Sequence, residues 1–211
     1  MPIGPASVVS HEHFLGIRTV MHIVTLAGSP SANSRSTSML DYLRQRIGAA
    51  NAQFSSFALD DFDPNALVQG HWDHPDVAAL RDAVLASDAV VITTPVYQAS
   101  FSGGLKLMLD LLPQGALTRK TVLALATGGS DHHLLMLDYA LKPVLSSLGA
   151  RHQLAGVYAS PLHIEKEMDG RYRLGEELQS RLNVVIDELI DAIAPATAEP
   201  RTRHAARLAL A

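Results

Sequence analysis

The eight residues Asp88–Pro95, DAVVITTP, decide how this chain folds. Val90, Val91, Ile92, Thr93 and Thr94 form an unbroken β-branched run, and a strand of that kind shows no polar face to water. It belongs in the middle of a sheet covered on both sides. Pro95, which has no N–H for a ladder, stops it.

Working outward, helical and extended patterns alternate. Upstream, Met21–Ala27 reads as a strand and residues 35–50 as a helix, with Met39, Leu40, Leu43 and Ile47 at helical spacing. Residues 52–59 form a weaker strand. DFDPNALVQGHWDHPD (61–76) is a long Asp- and Pro-rich connection, and Pro75–Ala86 a helix. Downstream come a helix over 103–112, a strand Thr121–Thr127, a long helix over 134–148, a strand over 151–159 and a closing helix Glu176–Ile193. Apolar strands separated by helices predict a parallel sheet covered on both faces. Five such units predict an α/β fold, a flavodoxin-like doubly wound five-stranded parallel sheet of order 2-1-3-4-5 with helices on both faces. This fits better than a six-stranded dinucleotide-binding domain. The domain is expected over 21–194, with a disordered leader at 1–20 and a C-terminal tail at 195–211; there is no internal repeat.

Composition narrows the function. With 47% apolar and 18% charged residues, 211 residues suit one folded domain with a substantial core. A net charge of −4 offers no basic face for nucleic acid. No apolar run approaches the roughly 20 residues of a membrane helix. The absence of cysteine excludes disulfides, thiolate metal sites and a thiol nucleophile, and fits a reducing cytoplasm.

Ligands of doubly wound sheets bind outside the carboxyl ends of the strands. After the first strand comes GSPSANSRSTS (28–38), entering a helix whose N–H groups and positive dipole end face the loop. No Lys follows as in a nucleoside-triphosphate loop, so the segment fits either a monophosphate cradle or plain capping by Ser34 or Ser36. After the third strand, Val96 and Tyr97 stand at the tip, followed by Ser102, Gly103 and Gly104 as a helix cap. Lys106 and Asp110 are spaced as a helix pair. After the fourth, ATGGSDHH (126–133) lets backbone approach a flat ring. A ligand with a phosphate at the first loop and a planar ring between the other two is most economically FMN. Further on, Pro143 removes the i→i+4 partner of the Tyr139 carbonyl, predicting a kink or π-type bulge around Tyr139.

TLAGSPSANSRSTSMLDYLR (25–44), TTPVYQASFSGGLKLMLDLLP (93–113) and LALATGGSDHHLLMLDYALKPVLSSLGA (123–150) together resemble the NAD(P)H-dependent FMN reductase family, close to the alkanesulfonate-utilisation reductases of two-component monooxygenase systems. The resemblance covers about residues 21 to 193. It implies that Ser29, Ser34, Arg35 and Ser36 hold the FMN phosphate. Pro95, Val96 and Tyr97 would contact the flavin, and Thr127, Gly128 and Gly129 would border its ring. Arg35 could instead face the NADPH 2′-phosphate or solvent. The family pattern has a basic residue where this chain has Ser31, leaving the loop less charged. The resemblance further implies FMN with NADPH or NADH, release of FMNH2 to a partner monooxygenase, and a homotetramer built from dimers. Tyr139 would then lie at a subunit interface and act in flavin transfer.

Hydride chemistry belongs to the cofactor pair, so no catalytic side chain is assigned, and no metal. His11 with His13, and His71 with His74, are poor metal ligands as isolated pairs; His132 and His133 suit capping or packing. One alternative is a flavoprotein with tightly bound FMN that reduces quinones, azo compounds or chromate, separable by kinetics with free FMN. The other is a non-enzymatic flavodoxin-like electron carrier, excluded by NADPH oxidation from the protein and FMN alone.

Overall fold

In the computed structural model residues 20–48 and 51–194 are described. The expected leader, apart from residue 20, the tail from 195, the first helix's last two expected residues and the pair His11 and His13 lie outside them. In chain order the elements are β1 (Met21–Ala27), α1 (Arg35–Ile47), β2 (Ala52–Ala58), α2 (Pro64–Gln69), α3 (Pro75–Ala86), β3 (Ala89–Tyr97), β4 (Ser100–Phe101), α4 (Gly103–Asp110), β5 (Thr121–Thr127), α5 (Lys142–Ser147), β6 (His152–Gln153), β7 (Val157–Ala159), β8 (Ile164–Lys166), β9 (Tyr172–Leu174) and α6 (Glu176–Ile193). The parallel sheet runs β2-β1-β3-β5, with β6 and β7 sharing the fifth position beside β5. This is the flavodoxin-like order.

The strands alternate between two cores. Val24, Leu26, Val90, Ile92 and Val122 face α2, α3, α4 and α5. Ile23, Val91, Leu123 and Leu125 face α1 and α6. Burying both faces requires apolar residues at successive positions, which is why DAVVITTP has no polar alternation. Each fully buried Leu or Ile contributes about 1.5–3 kcal/mol. Among the described residues no helix is long and apolar enough to cross a membrane.

Three details depart from the sequence-based reading, and the irregularity expected around Tyr139 takes a definite form. The fifth strand is interrupted: Thr121↔His152 and Leu125↔Val157 differ in register by one residue, a bulge over 154–156. The helix expected over 134–148 is not continuous. A 3-10 turn (Asp131–His133) precedes a π-helix (Leu137–Leu141) in which Lys142 N–H reaches the Leu137 carbonyl. Regular α-helix continues as α5, with Pro143 in its first turn, where it offers no N–H to the Tyr139 carbonyl. The long connection contains α2, capped by Asp63 and ended by the left-handed Gly70. An antiparallel hairpin, β8–β9, lies outside the main sheet.

Candidate flavin site

The loops after β1, β3 and β5 meet in one cleft of about 490 Å³, within the roughly 300–1,000 Å³ of small-molecule sites. Ser29, Ser34, Arg35, Ser36, Pro95, Val96, Tyr97, Thr127, Gly128 and Gly129 all line it. Tyr139 does not. Ser31, Asn33, Pro161, Lys166 and Tyr172, which the sequence did not mark as ligands, complete the lining.

The first loop is built around the start of α1. Ser34 is the N-cap, its Oγ accepting from Thr37 N–H at 3.1 Å and lying 3.0 Å from Ser36 Oγ and 2.8 Å from Thr37 Oγ1. The capping reading is therefore right, and it leaves the cradle open: a hydroxyl that accepts still has a proton to donate. The N–H groups of Arg35 and Ser36, in the first turn, have no intrahelical acceptor. That turn carries no acidic residue, so the helix does not neutralise its own positive end. Ser29 and Ser36 are buried, and Ser29 Oγ accepts from Ser31 N–H at 3.2 Å. Arg35 does not simply face solvent. Its Nε donates to the Ile164 carbonyl at 3.4 Å and its guanidinium stands 5.4 Å from the centre of the Tyr172 ring.

The second loop is a hairpin tip. Val96 and Tyr97 pair with Phe101 and Ser100, and the turn residues Gln98 and Ala99 are left-handed, with φ of 48° and 61°. Such angles are costly for residues other than glycine, and they turn Tyr97 outward, 52% exposed. Ser102 fastens the tip to the first loop. Its Oγ caps α4 by accepting from Leu105 N–H, its own N–H donates to Thr94 Oγ1, and its hydroxyl donates to the Gly28 carbonyl. Lys106 and Asp110 form the expected exposed pair at 2.6 Å.

In the third loop the glycines do different work. Gly128 N–H is taken by the Ala159 carbonyl at 3.1 Å, and a Cβ on Gly128 would stand 2.1 Å from Tyr158 Oη. Nothing lies within 4 Å of the equivalent point on Gly129, so it is Gly129 that leaves room beside the cleft. Tyr158 supports the turn from below, its hydroxyl donating to the Ser130 carbonyl and its own carbonyl accepting from Arg181. Burial, and then the charge of Asp131, push the Tyr158 phenol above its ordinary pKa, so it remains a proton donor. Tyr158 was not singled out in the sequence; the only signal is a large aromatic in a strand of small residues.

The β8–β9 hairpin closes the end of the cleft beside the start of α1. Asn33 Nδ2 donates to the Gly170 carbonyl at 3.0 Å. Arg173 pairs with Glu165 and Glu167, and Arg171 pairs with Asp169, whose carboxyl its hydrogen bonds hold below the usual range. The described histidines stay outside the lining: His74 caps α3, and His132 Nδ1 lies 3.3 Å from Ser130 Oγ. Among the described residues no three metal-ligating groups converge.

A doubly wound sheet whose cleft has an acid-free, hydroxyl-rich helix start at one end and a glycine-lined turn at the other has the architecture of a flavin oxidoreductase. The family described as NADPH-dependent FMN reductase matches residues 21–163, and the chain belongs to it. It is 40% identical over 173 residues to an FMN reductase (NADPH) of Escherichia coli, spanning 82% of this chain and 90% of that protein. Over 74 residues it is 49% identical to an NADH-dependent FMN reductase of Pseudomonas putida, 35% of this chain and 40% of that one. A solved apo structure of an NADH:FMN oxidoreductase superposes with a TM-score of 0.74 at 35% identity, covering 88% of this chain and 95% of that one. The protein is an NAD(P)H- and FMN-dependent oxidoreductase.

Proposed function

We propose that the protein takes FMN as an exchangeable substrate, reduces it with NADPH or NADH, and releases FMNH2 to a partner monooxygenase in organosulfur utilisation. The observation that carries this reading is the shape of the cleft: anion donors at one end, and at the other an open wall of Tyr97 and Gly129. When bound, FMN supplies the hydride acceptor at its N5. The chain's part is to bind and orient. Ser29, Ser34, Arg35 and Ser36 hold the phosphate, while Pro95, Val96, Tyr97, Thr127, Gly128 and Gly129 border the ring. Flavin and nicotinamide carry the hydride chemistry, so no side chain of the lining is assigned a chemical step. The exposed side of Tyr97 leaves the ring open to the nicotinamide and, after reduction, to departure.

Assembly enters through the π-helix. Leu137, Ala140 and Val96 of the cleft wall pack against one buried cluster of Ala126, Met136 and Tyr158, and on the outer side Tyr139 is 78%, Leu135 56% and Leu134 47% exposed. An apolar group of this kind, next to a non-standard turn, fits a subunit interface in a dimer of dimers, with loosening of the turn coupled to flavin release.

The test is the initial rate of NADPH and of NADH oxidation by dialysed protein as free FMN is varied. The expected result is no oxidation without flavin and saturable oxidation with it. Stoichiometric FMN retained through gel filtration, with turnover of quinones or azo compounds instead, supports the tightly bound rival. No oxidation by protein and FMN together supports the carrier.

A further inference from the structure

The phosphate end of the cleft holds a second cation, contributed by a separate hairpin. In β8–β9 the cross-strand pairs are Ile164↔Leu174, Glu165↔Arg173 and Lys166↔Tyr172. Ile164 and Leu174 are buried in the core beneath α1 and α6. Alternation along a strand therefore turns Lys166 and Tyr172 to the same, inward side, and Glu165 and Arg173 to the other. The neighbouring acids, Glu165 and Glu167, are both engaged by Arg173.

Lys166 Nζ stands 5.9 Å from the centre of the Tyr172 ring, and Arg35 stands 5.4 Å from the same centre. Among the described residues neither cation pairs with a carboxylate, and no acidic residue lines the cleft. Each is held by the ring with only about 0.5–1 kcal/mol at an exposed site, so neither charge is neutralised. A dianion beside them gains two attractions. The hairpin is held in place for this: Asn33 donates to the Gly170 carbonyl and Arg35 to the Ile164 carbonyl, so the loop that offers N–H groups also grips the strands that carry Lys166.

We propose that Lys166 is a phosphate-binding residue, acting with Arg35 and the start of α1 on a phosphate monoester dianion. The inference rests on the NAD(P)H:FMN reading above. In that reaction two groups have this chemistry, the 5′-phosphate of FMN and the 2′-phosphate of NADPH. Arg35 approaches the dianion from its own helix and Lys166 from the hairpin, so removing either leaves the other in place.

The experiment compares the full-length wild type with Lys166→Ala and Lys166→Arg. Dissociation constants are measured for FMN and riboflavin by flavin fluorescence, and KM for NADPH and NADH. A charge-assisted hydrogen bond is worth about tenfold in affinity or more. The expected result for Lys166→Ala is weakening of about that size for FMN with riboflavin unchanged, or for NADPH with NADH unchanged, which identifies the source of the phosphate. Lys166→Arg should restore most of the loss. Equal changes for both members of each pair, or none, in a protein that still binds FMN would overturn the role of Lys166 and leave the reductase reading standing. A wild type that binds neither flavin would overturn both.

Discussion

Replacing Gly128 with alanine tests the packing under the proposed flavin wall. Gly128 does not have a left-handed backbone, so the change carries no conformational penalty, only a steric one. The new Cβ would lie 2.1 Å from Tyr158 Oη and 3.3 Å from Val96 Cβ. An ordinary carbon–oxygen approach is about 3.3 Å or more, so the phenol must retreat by roughly 1 Å. Tyr158 is buried, and its hydroxyl is bonded to the Ser130 carbonyl. Retreat breaks that bond, at about 1 kcal/mol, and overpacking adds about 1–3 kcal/mol. Gly128→Ala should therefore lower stability by about 2–4 kcal/mol in urea denaturation and weaken FMN binding by displacing the turn. Tyr158→Phe alone should cost about 1 kcal/mol. Combined, the two should cost less than their sum, because removing Oη leaves Cζ, 3.1 Å away, as the nearest atom of that ring. A Gly128→Ala protein within about 0.5 kcal/mol of wild type, or strict additivity in the double variant, would refute the reasoning.

Other positions separate binding from folding. Replacing Ser29 and Ser36 together by alanine should raise the FMN dissociation constant about tenfold, a loss of roughly 1.4 kcal/mol, while riboflavin titrations stay unchanged. Ser34 is a poorer probe, since its loss also removes the α1 cap, worth about 1 kcal/mol. Ala99→Gly should stabilise the protein by about 1 kcal/mol in thermal melts by relieving the left-handed turn. Tyr139→Ala should leave the melting of the monomer fold unchanged, lower the mass seen in sedimentation and slow flavin release; an unaltered mass and release rate would remove Tyr139 from the interface.

Elements with a strong period were legible in the sequence. The bounds of β1, α3 and α6 follow from apolar residues that must face a core, and strand order fixes which loops share an edge, while the resemblance to the FMN reductase family singled out the ten candidate ligands on those loops. What was missed depends on tertiary contact. The three-residue strands of β8–β9 are too short to show a period, although Asp169–Gly170 between alternating residues is a hairpin signal. Lys166 and Tyr172 therefore reached the cleft unannounced. The Asp63–Pro64 start and Gly70 stop of α2 were visible as punctuation, but one and a half turns give too few apolar positions to outweigh a loop. Pro143 foretold the irregular helix; that it takes π form, with α-helix restarting at Lys142, depends on how Leu137 and Ala140 seat against Ala126, Met136 and Tyr158.

The most direct test of the central claim is a crystal structure of the protein with FMN. The account predicts the phosphate at the start of α1, within hydrogen-bonding reach of Ser29, Ser34, Arg35 and Ser36, and the ring lying between Tyr97 and Gly129. Flavin bound elsewhere on the fold, or bound in this cleft with its phosphate away from α1, would contradict it.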